Sequence, residues 1–150
     1  MIVVLQRVKN ASVEVDGEII GKTGKGFLIL LGIEDGDSDS EIEFLARKTA
    51  EIRIFRDESG KMNRSLADVD GSALVVSQFT LCADWIKGRR PSFIRAAKPE
   101  VSKPMVAQFI AELQVRGIHT ETGKFGAMMD VALVNDGPVT VVMDSKMKKA

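Results

Sequence analysis

The sequence predicts a single α+β domain over residues 1–150, with two packed β-sheets in a barrel-like arrangement and two to three helices against them. Three observations predict it. Many segments are rich in β-branched residues, two segments have apolar residues at helical spacing, and strands and helices do not alternate regularly. The lack of alternation favours α+β over a doubly wound sheet. With 45% apolar and 28% charged residues and no repeat or linker, the chain has ordinary globular composition.

The first third of the chain predicts four strand segments. Residues 2–9 are rich in β-branched side chains, and residues 12–15 alternate polar and apolar side chains. Asp16-Gly17 then fits a two-residue turn into residues 18–20, because Asp-Gly tolerates the positive φ angles of a hairpin turn. Residues 26–33 are nearly all apolar, which is typical of a strand buried on both faces.

Two helices follow from capping signals and apolar spacing. Ser38 and Glu41 form a possible capping box in front of an apolar stripe that begins at residue 42. Ser102 is the predicted cap of the second helix, with Pro104 in its first turn. Gly117 is well placed to end this helix.

Four further strands are predicted. Residues 52–55 precede an Asp-Glu-Ser-Gly turn, and residues 73–79 run from apolar into polar side chains. Residues 129–134 and 139–144 are separated by an Asn-Asp-Gly-Pro sequence, which is typical of a tight turn.

Charge and composition exclude several classes of protein. The 21 basic and 21 acidic residues give zero formal charge, which argues against a polycationic, non-specific nucleic-acid binder. No apolar run exceeds five residues, the length of residues 27–31, which is far shorter than the roughly 20 residues of a membrane span, and no signal peptide is recognised. Cys82 is the only cysteine, which agrees with a reducing compartment. We expect a cytoplasmic protein with no membrane partner.

Several apparent motifs fail. Residues 17–23 resemble a phosphate-binding loop, but they are one residue short and lie within the predicted hairpin. His119 and Cys82 are each the only residue of their kind, so the chain cannot supply a zinc site of the His/Cys type or a convincing catalytic triad. Five further carboxylates are predicted to lie in solvated loops: Asp35, Asp37, Asp39, Asp68 and Asp70. We expect no metal and no other cofactor.

Three segments suggest chemistry, each beside a plain structural alternative. Ser77-Gln78-Phe79-Thr80 places polar groups at a strand end, where side chains can line a pocket and N–H groups can stabilise an oxyanion; the alternative is a polar strand terminus. Residues 87–98 contain five basic residues and no acid, as in a phosphate-binding patch or a solvated surface. Gly137-Pro138 is a possible cis peptide or a simple turn.

Together with Gly123-Lys124-Phe125-Gly126-Ala127 and Met129, these segments resemble the D-aminoacyl-tRNA deacylase family, the D-tyrosyl-tRNA(Tyr) deacylases. The resemblance runs in order from Met1 to about Asp144. Three lysines near the end of the chain fall outside the pattern: Lys146, Lys148 and Lys149.

The resemblance implies a homodimeric enzyme that hydrolyses the ester between a D-amino acid, or glycine, and the terminal adenosine of tRNA. It implies that the Gly137-Pro138 peptide is cis and faces the partner subunit's pocket, where its carbonyl groups exclude an L side chain. Arg7 resembles the arginine that supports this segment. Phe125 and Met129 resemble residues beside the terminal adenine.

The chemistry suggested by the residues agrees with the family. Without a histidine base, a hydroxyl nucleophile at Thr80 would be poorly activated. We therefore expect the N–H groups of Phe79 and Thr80 to form an oxyanion site, Ser77 and Gln78 to shape the pocket, and the 2′-hydroxyl of tRNA to assist water. The expected contacts to the RNA backbone are Lys87, Arg89, Arg90 and Arg95.

Two other functions remain open. A non-catalytic tRNA-binding module using residues 87–98 would bind tRNA without hydrolysis. An unrelated small-molecule hydrolase with Thr80 in its pocket would act on simple esters. DNA is not an expected partner of either.

Overall fold

The computed structural model describes residues 1–147, so that Lys148 and Lys149 lie outside the described residues. Its helices are α1 (Asp39–Glu51) and α2 (Pro99–Val115), and short 3₁₀-helices cover Phe79–Cys82 and Ser145–Met147. The strands are β1 (Ile2–Val15), β2 (Glu18–Thr23), β3 (Gly26–Gly32), β4 (Phe55–Arg56), β5 (Met62–Arg64), β6 (Ser72–Ser77), β7 (Thr120–Thr122) and β8 (Asp130–Asp144). No helix in this part of the chain is long and apolar enough to span a membrane.

The long strand β1 organises the main sheet. On one edge, its first half pairs antiparallel with β3 and its second half with β2, while β8 runs antiparallel along the other edge. β6 and β7 extend the sheet in parallel beyond β3, giving the order β2-β1-β3-β6-β7. β4 and β5 form a separate small sheet. The predicted α+β class with two sheets and two helices is confirmed.

The main sheet curls until β2 lies against β7, which makes it barrel-like. The N–H of Lys22 donates to Oε1 of Glu121 at 3.2 Å. Gly21 permits this approach, because a Cβ there would lie 2.4 Å from the carbonyl oxygen of Thr122. The end of β2 is therefore held against β7.

Two apolar cores lie on the two faces of β3 and β6. Phe27 and Val75 point into the larger core, which packs against the two helices. Leu28, Leu74 and Val76 point into a smaller core inside the curl. The prediction that residues 26–33 are buried on both faces is confirmed, and burial of both faces explains why this segment has no polar alternation.

Of the three helix ends predicted from the sequence, the structure agrees with two. α1 begins with the capping box, in which the N–H of Ser38 donates to Glu41 Oε2 at 2.7 Å. Gly117, at φ +81°, ends α2 as predicted. The predicted start of α2 at Ser102 is wrong: the helix begins at Pro99, and Pro104 lies inside it. Proline fits the first helical position because its missing N–H has no helical acceptor there.

Three predicted strand boundaries are also corrected. Of residues 52–55, only Phe55 lies in a strand. β6 ends at Ser77, and Phe79 begins a 3₁₀-helix. Residues 130–134 and 139–144 belong to one strand rather than two strands joined by a tight turn, and Met129 precedes this strand. Both segments pair with the same edge of β1 in the same direction. Between the two runs of pairing, the single residue Arg7 of β1 lies opposite residues 136–139 of β8. Gly137 and Pro138 therefore lie in a bulge.

Candidate active site

A cleft of about 930 Å³ opens at the end of β6, within the usual size range of small-molecule sites. Its walls come from segments that are far apart in the sequence: the end of β6, the start of α2, the turn between β1 and β2, and the residues leading into β8. The polar side chains on these walls are Glu14, Asp16, Ser77, Gln78, Lys98, Ser102 and Asp130.

The end of β6 forms the first wall. The N–H of Gln78 donates to the carbonyl oxygen of Leu31 at 2.8 Å, which holds this segment against β3. Phe79 lines the cleft with its side chain 56% exposed, and its ring meets that of Phe93 edge-on at 5.2 Å. The N–H groups of Phe79 and Thr80 lie at the start of a 3₁₀-helix, where no preceding turn supplies acceptors.

The turn before β8 forms a facing wall. Phe125 and Met129 both line the cleft, Phe125 packing on the larger core and Met129 on the smaller one. A Cβ at Gly123 would lie 2.7 Å from Met129 Sδ, so glycine allows the thioether to pack closely there. The structure therefore joins Phe125 and Met129 to Ser77, Gln78 and Phe79 in one site, although about fifty residues separate the two groups.

Thr80 lies beside the cleft rather than in it. Its side chain is exposed and is not part of the lining, and Gln78 Nε2 donates a hydrogen bond to Thr80 Oγ1. The hydroxyl of Thr80 is therefore held by Gln78 and does not line the cleft.

Neither the histidine nor the cysteine is an activated group of this site. His119 is 72% exposed, pairs with Glu121 at 3.1 Å, and does not line the cleft. Cys82 is buried, and its Sγ donates to the carbonyl oxygen of Ile33 at 3.5 Å. Burial and the nearby Glu34 charge raise the pKa of the Cys82 thiol. A raised pKa keeps the thiol protonated and unreactive.

Arg7, Gly137 and Pro138 do not line this cleft. The Gly137-Pro138 peptide bond is cis. The Arg7 side chain is 1% exposed; its Nη1 donates to the carbonyl oxygen of Ile54 at 2.6 Å, and its Nε lies 3.2 Å from Asp136 Oδ2. Arg7 thus holds the residue that precedes Gly137. Within one chain, the residues predicted to act in catalysis or substrate binding fall into two separate groups.

The basic residues lie on the segment that leads from the cleft wall to α2. Lys87, Arg89 and Arg90 are exposed on a loop. Arg95 is anchored: its Nη2 lies 3.5 Å from Glu34 Oε1, and its Nε donates to the carbonyl oxygen of Cys82 at 3.4 Å. The segment is therefore anchored at Arg95 to Glu34 and to the main chain of Cys82.

Sequence reasoning missed part of the cleft. Phe93 and the start of α2 line it, as do three carboxylates: Glu14, Asp16 and Asp130. Glu14 and Asp130 are direct neighbours across β1 and β8. The proximity of these acids depends on the register of two strands more than a hundred residues apart, which no local pattern reports.

Comparison with known proteins identifies the family. The family model described as D-Tyr-tRNA(Tyr) deacylase matches residues 4–144. A protein of Thermomicrobium roseum named D-aminoacyl-tRNA deacylase is 60% identical over 145 residues, covering 97% of this chain and 94% of the relative. One of the same name from Thermus aquaticus is 55% identical over 145 residues, covering 97% of this chain and 95% of the relative.

Solved structures agree with this fold. One described as "c-Myc DNA Unwinding Element Binding Protein" is 40% identical, with a TM-score of 0.90 over 96% of this chain and 98% of that chain. A second, described as "a probable eukaryotic D-amino acid tRNA deacylase", is 18% identical, with a TM-score of 0.80 over 95% of this chain and 97% of that chain, and supports the fold alone. On the family match and the identities above 50%, the chain belongs to the D-Tyr-tRNA(Tyr) deacylase family.

Proposed function

We propose that the chain hydrolyses D-aminoacyl-tRNA, releasing the free D-amino acid and tRNA. One observation supports this most strongly: the cleft joins the polar end of β6, at Ser77 and Gln78, to the apolar wall of Phe125 and Met129. An aminoacyl-adenosine needs both kinds of surface, a polar one for the ester and an apolar one for the base. Family membership agrees with this assignment.

In the proposed reaction, water attacks the ester carbonyl carbon and the bond to the ribose 3′-oxygen breaks. The departing oxygen takes up the proton that the attacking water loses, and the neighbouring 2′-hydroxyl orients the water. The N–H groups of Phe79 and Thr80 stabilise the oxyanion, as main-chain donors do in other acyl-transfer enzymes. Ser77 and Gln78 position the ester. The absence of a histidine from the cleft lining within residues 1–147 supports assistance by the substrate.

The terminal adenine is proposed to lie against Phe125 and Met129. An aromatic face stacks on any base, and a polarizable thioether packs well against a ring. Both side chains are partly buried and rest on the two apolar cores. They therefore form a firm wall that requires little ordering when the base binds.

Chiral selection is proposed to come from a second copy of the chain. Gly137 and Pro138 lie in the β8 bulge, away from the cleft of their own chain, so only a partner subunit can bring them to the ester. β8 pairs with β1 alone among the described strands and exposes Leu133, Val134 and Val142, as expected of a strand that meets another surface. The rigid segment excludes an L side chain but admits hydrogen, so glycyl-tRNA is also a proposed substrate.

The RNA backbone is proposed to cross the loop of Lys87, Arg89 and Arg90, with Arg95 at its base. Arg95 already pairs with Glu34, so the three loop residues are the main phosphate contacts. Each lost phosphate contact reduces the salt dependence of binding by about one ion. Neutralising Arg89 and Arg90 together should therefore weaken tRNA binding and flatten its dependence on salt.

The experiment that tests this function compares release of amino acid from D-tyrosyl-tRNA, glycyl-tRNA and D-tyrosine methyl ester. Release from both tRNA substrates, and little from the methyl ester, is the expected result. Salt-dependent tRNA binding without release would instead indicate a binding module. Comparable release from the methyl ester would indicate a small-molecule hydrolase that does not need tRNA.

A further inference from the structure

An exposed indole occupies the loop beside the cleft. Trp85 is 75% exposed and its neighbour Ile86 is 78% exposed. Trp85 is the only tryptophan of the chain, which has no tyrosine. An isolated exposed aliphatic residue is common on protein surfaces, but adjacent large apolar side chains exposed at a loop are typical of a binding surface.

The loop is held in place next to the cleft. Asp84 and Ser92 exchange two main-chain hydrogen bonds of 2.7 and 2.8 Å, which close the loop at its base. The N–H of Ile86 donates to Asp84 Oδ1 at 3.2 Å. Immediately after the loop, Phe93 lines the cleft and packs edge-on against Phe79. Trp85 is therefore held near the entrance of the cleft.

Positive charge surrounds the indole in the loop. Lys87, Arg89 and Arg90 follow it within five residues, and no carboxylate in the described part of the chain forms an ion pair with them. An aromatic platform beside free cations is the combination that binds single-stranded nucleic acid, because bases stack on the ring and phosphates meet the cations. A purely protein partner would not require both features.

We infer that Trp85 stacks on an unpaired nucleotide of the tRNA 3′ end that precedes the terminal adenosine. This inference rests on the proposed function, since it assumes that the cleft takes the terminal adenosine. The neighbouring cations hold the phosphates of the same strand. Ile86 widens the apolar surface on which the base lies.

The single tryptophan allows a direct test by fluorescence. Uncharged tRNA ending in CCA is titrated into the protein, beside the same tRNA lacking its three terminal nucleotides. The inference predicts saturable quenching by the CCA-ended tRNA and little by the truncated one. Binding detected by filter retention without quenching would overturn it, as would a failure to bind CCA-ended tRNA. A blue shift of the Trp85 emission on raising the protein concentration without tRNA would also overturn the inference. It would show that the loop instead contacts a second copy of the chain.

Variants separate stacking from a structural role. Trp85→Ala should raise the Kd for CCA-ended tRNA about 5- to 150-fold, the range expected for loss of one base–aromatic contact, whereas Trp85→Phe should retain most of the affinity. Ile94→Ala is the matched control, because Ile94 is 86% exposed but lies outside the closed loop. An equal loss of affinity in the control would contradict the inference.

Kinetics distinguish this inference from the proposed function. Trp85→Ala should raise KM for D-tyrosyl-tRNA with kcat unchanged, and it should leave hydrolysis of D-tyrosyl-adenosine, which lacks the preceding nucleotides, unaffected. An equal loss on both substrates would overturn the stacking role. Absence of hydrolysis by the unmodified protein would instead refute the deacylase, while the fluorescence titration would still report on stacking.

Discussion

Arg7 contacts Asp136 twice: its Nε lies 3.3 Å from the main-chain oxygen and 3.2 Å from Oδ2 of the carboxylate. The guanidinium is buried, and its Nη2 has no hydrogen-bond partner among the described residues. Since the other contact of Arg7 is the carbonyl oxygen of Ile54, the arginine links the β8 bulge to the segment that follows α1. The position of Gly137 is thus tied to the interior of the domain.

Asp136→Asn should destabilise the protein, because it removes the only carboxylate paired with a buried guanidinium in the described chain. We expect the free energy of unfolding to fall by about 1–3 kcal/mol, the cost of leaving a buried polar group poorly satisfied. Urea denaturation at fixed protein concentration measures it. Glu58→Gln is the control: Glu58 is 94% exposed and 3.9 Å from Arg64, so its effect should stay within about 0.5 kcal/mol. Equal effects would contradict the importance of the Arg7 contact.

Phe79→Pro and Phe79→Ala both remove the ring, but only proline removes the N–H. We expect the proline variant to have a kcat about 10²–10³ lower than the alanine variant, the usual effect of losing one oxyanion donor. Thr80→Ala keeps the N–H and should retain substantial activity. Single-turnover hydrolysis of D-tyrosyl-tRNA measures all three. If Thr80→Ala alone abolished the reaction, its hydroxyl would be the nucleophile and the oxyanion assignment would be wrong.

Gly137→Ala tests the proposed exclusion of L side chains by Gly137-Pro138 without disturbing the fold. The nearest atom to an added Cβ is Asn135 Nδ2 at 3.7 Å, an ordinary contact. We expect an unchanged melting temperature but a lower kcat/KM for D-tyrosyl-tRNA, because in the proposed dimer the added methyl group narrows the partner's pocket. Gly24→Ala, where a Cβ meets nothing within 4 Å, is the matched control and should be silent. Full activity of Gly137→Ala would place this segment away from the substrate.

The capping box should make stability depend on pH. Hydrogen bonds from the hydroxyl and the N–H of Ser38 lower the pKa of Glu41 from 4.5 to about 2. Because the folded pKa is lower, the charged carboxylate stabilises the fold above about pH 4.5, and this contribution is lost as the pH falls towards 2.

Glu41→Gln should therefore reduce the free energy of unfolding at pH 7 by about 0.5–1 kcal/mol, and the difference should shrink below pH 4.5. Urea titrations from pH 7 to pH 3 measure it, with Glu43→Gln on the exposed surface of α1 as the control. A difference that stayed constant through the acid range would show that Glu41 does not stabilise the helix through its charge.

The sequence predicted elements wherever one local signal dominated. The capping box at Ser38 and the Asp16-Gly17 turn were both correct, because capping and turn chemistry act within a few residues. The start of α2 was wrong because Pro99 and Ser102 are both acceptable near a helix start, and packing decides between them. The β8 bulge was misread as a turn because only pairing with a distant strand distinguishes the two. Asp37, predicted to be solvated, accepts the Glu34 N–H at 2.7 Å.

For the candidate site too, residues marked by a local signal were predicted, and residues brought together by distant pairing were missed. Ser77 and Gln78 were recognised as pocket residues because polar groups interrupt an apolar strand. The carboxylates of the cleft were missed because Glu14 meets Asp130 only through strand register. The separation of Gly137 from the cleft could not be derived from local pattern, since it depends on how the whole of β8 runs along β1.

The most direct measurement is hydrolysis of D-tyrosyl-tRNA and L-tyrosyl-tRNA by the purified protein, side by side and with a chelator present. We predict rapid release from the D ester, negligible release from the L ester, and no effect of the chelator. Equal release from both esters would contradict chiral exclusion by Gly137-Pro138, and release from neither would contradict the deacylase itself.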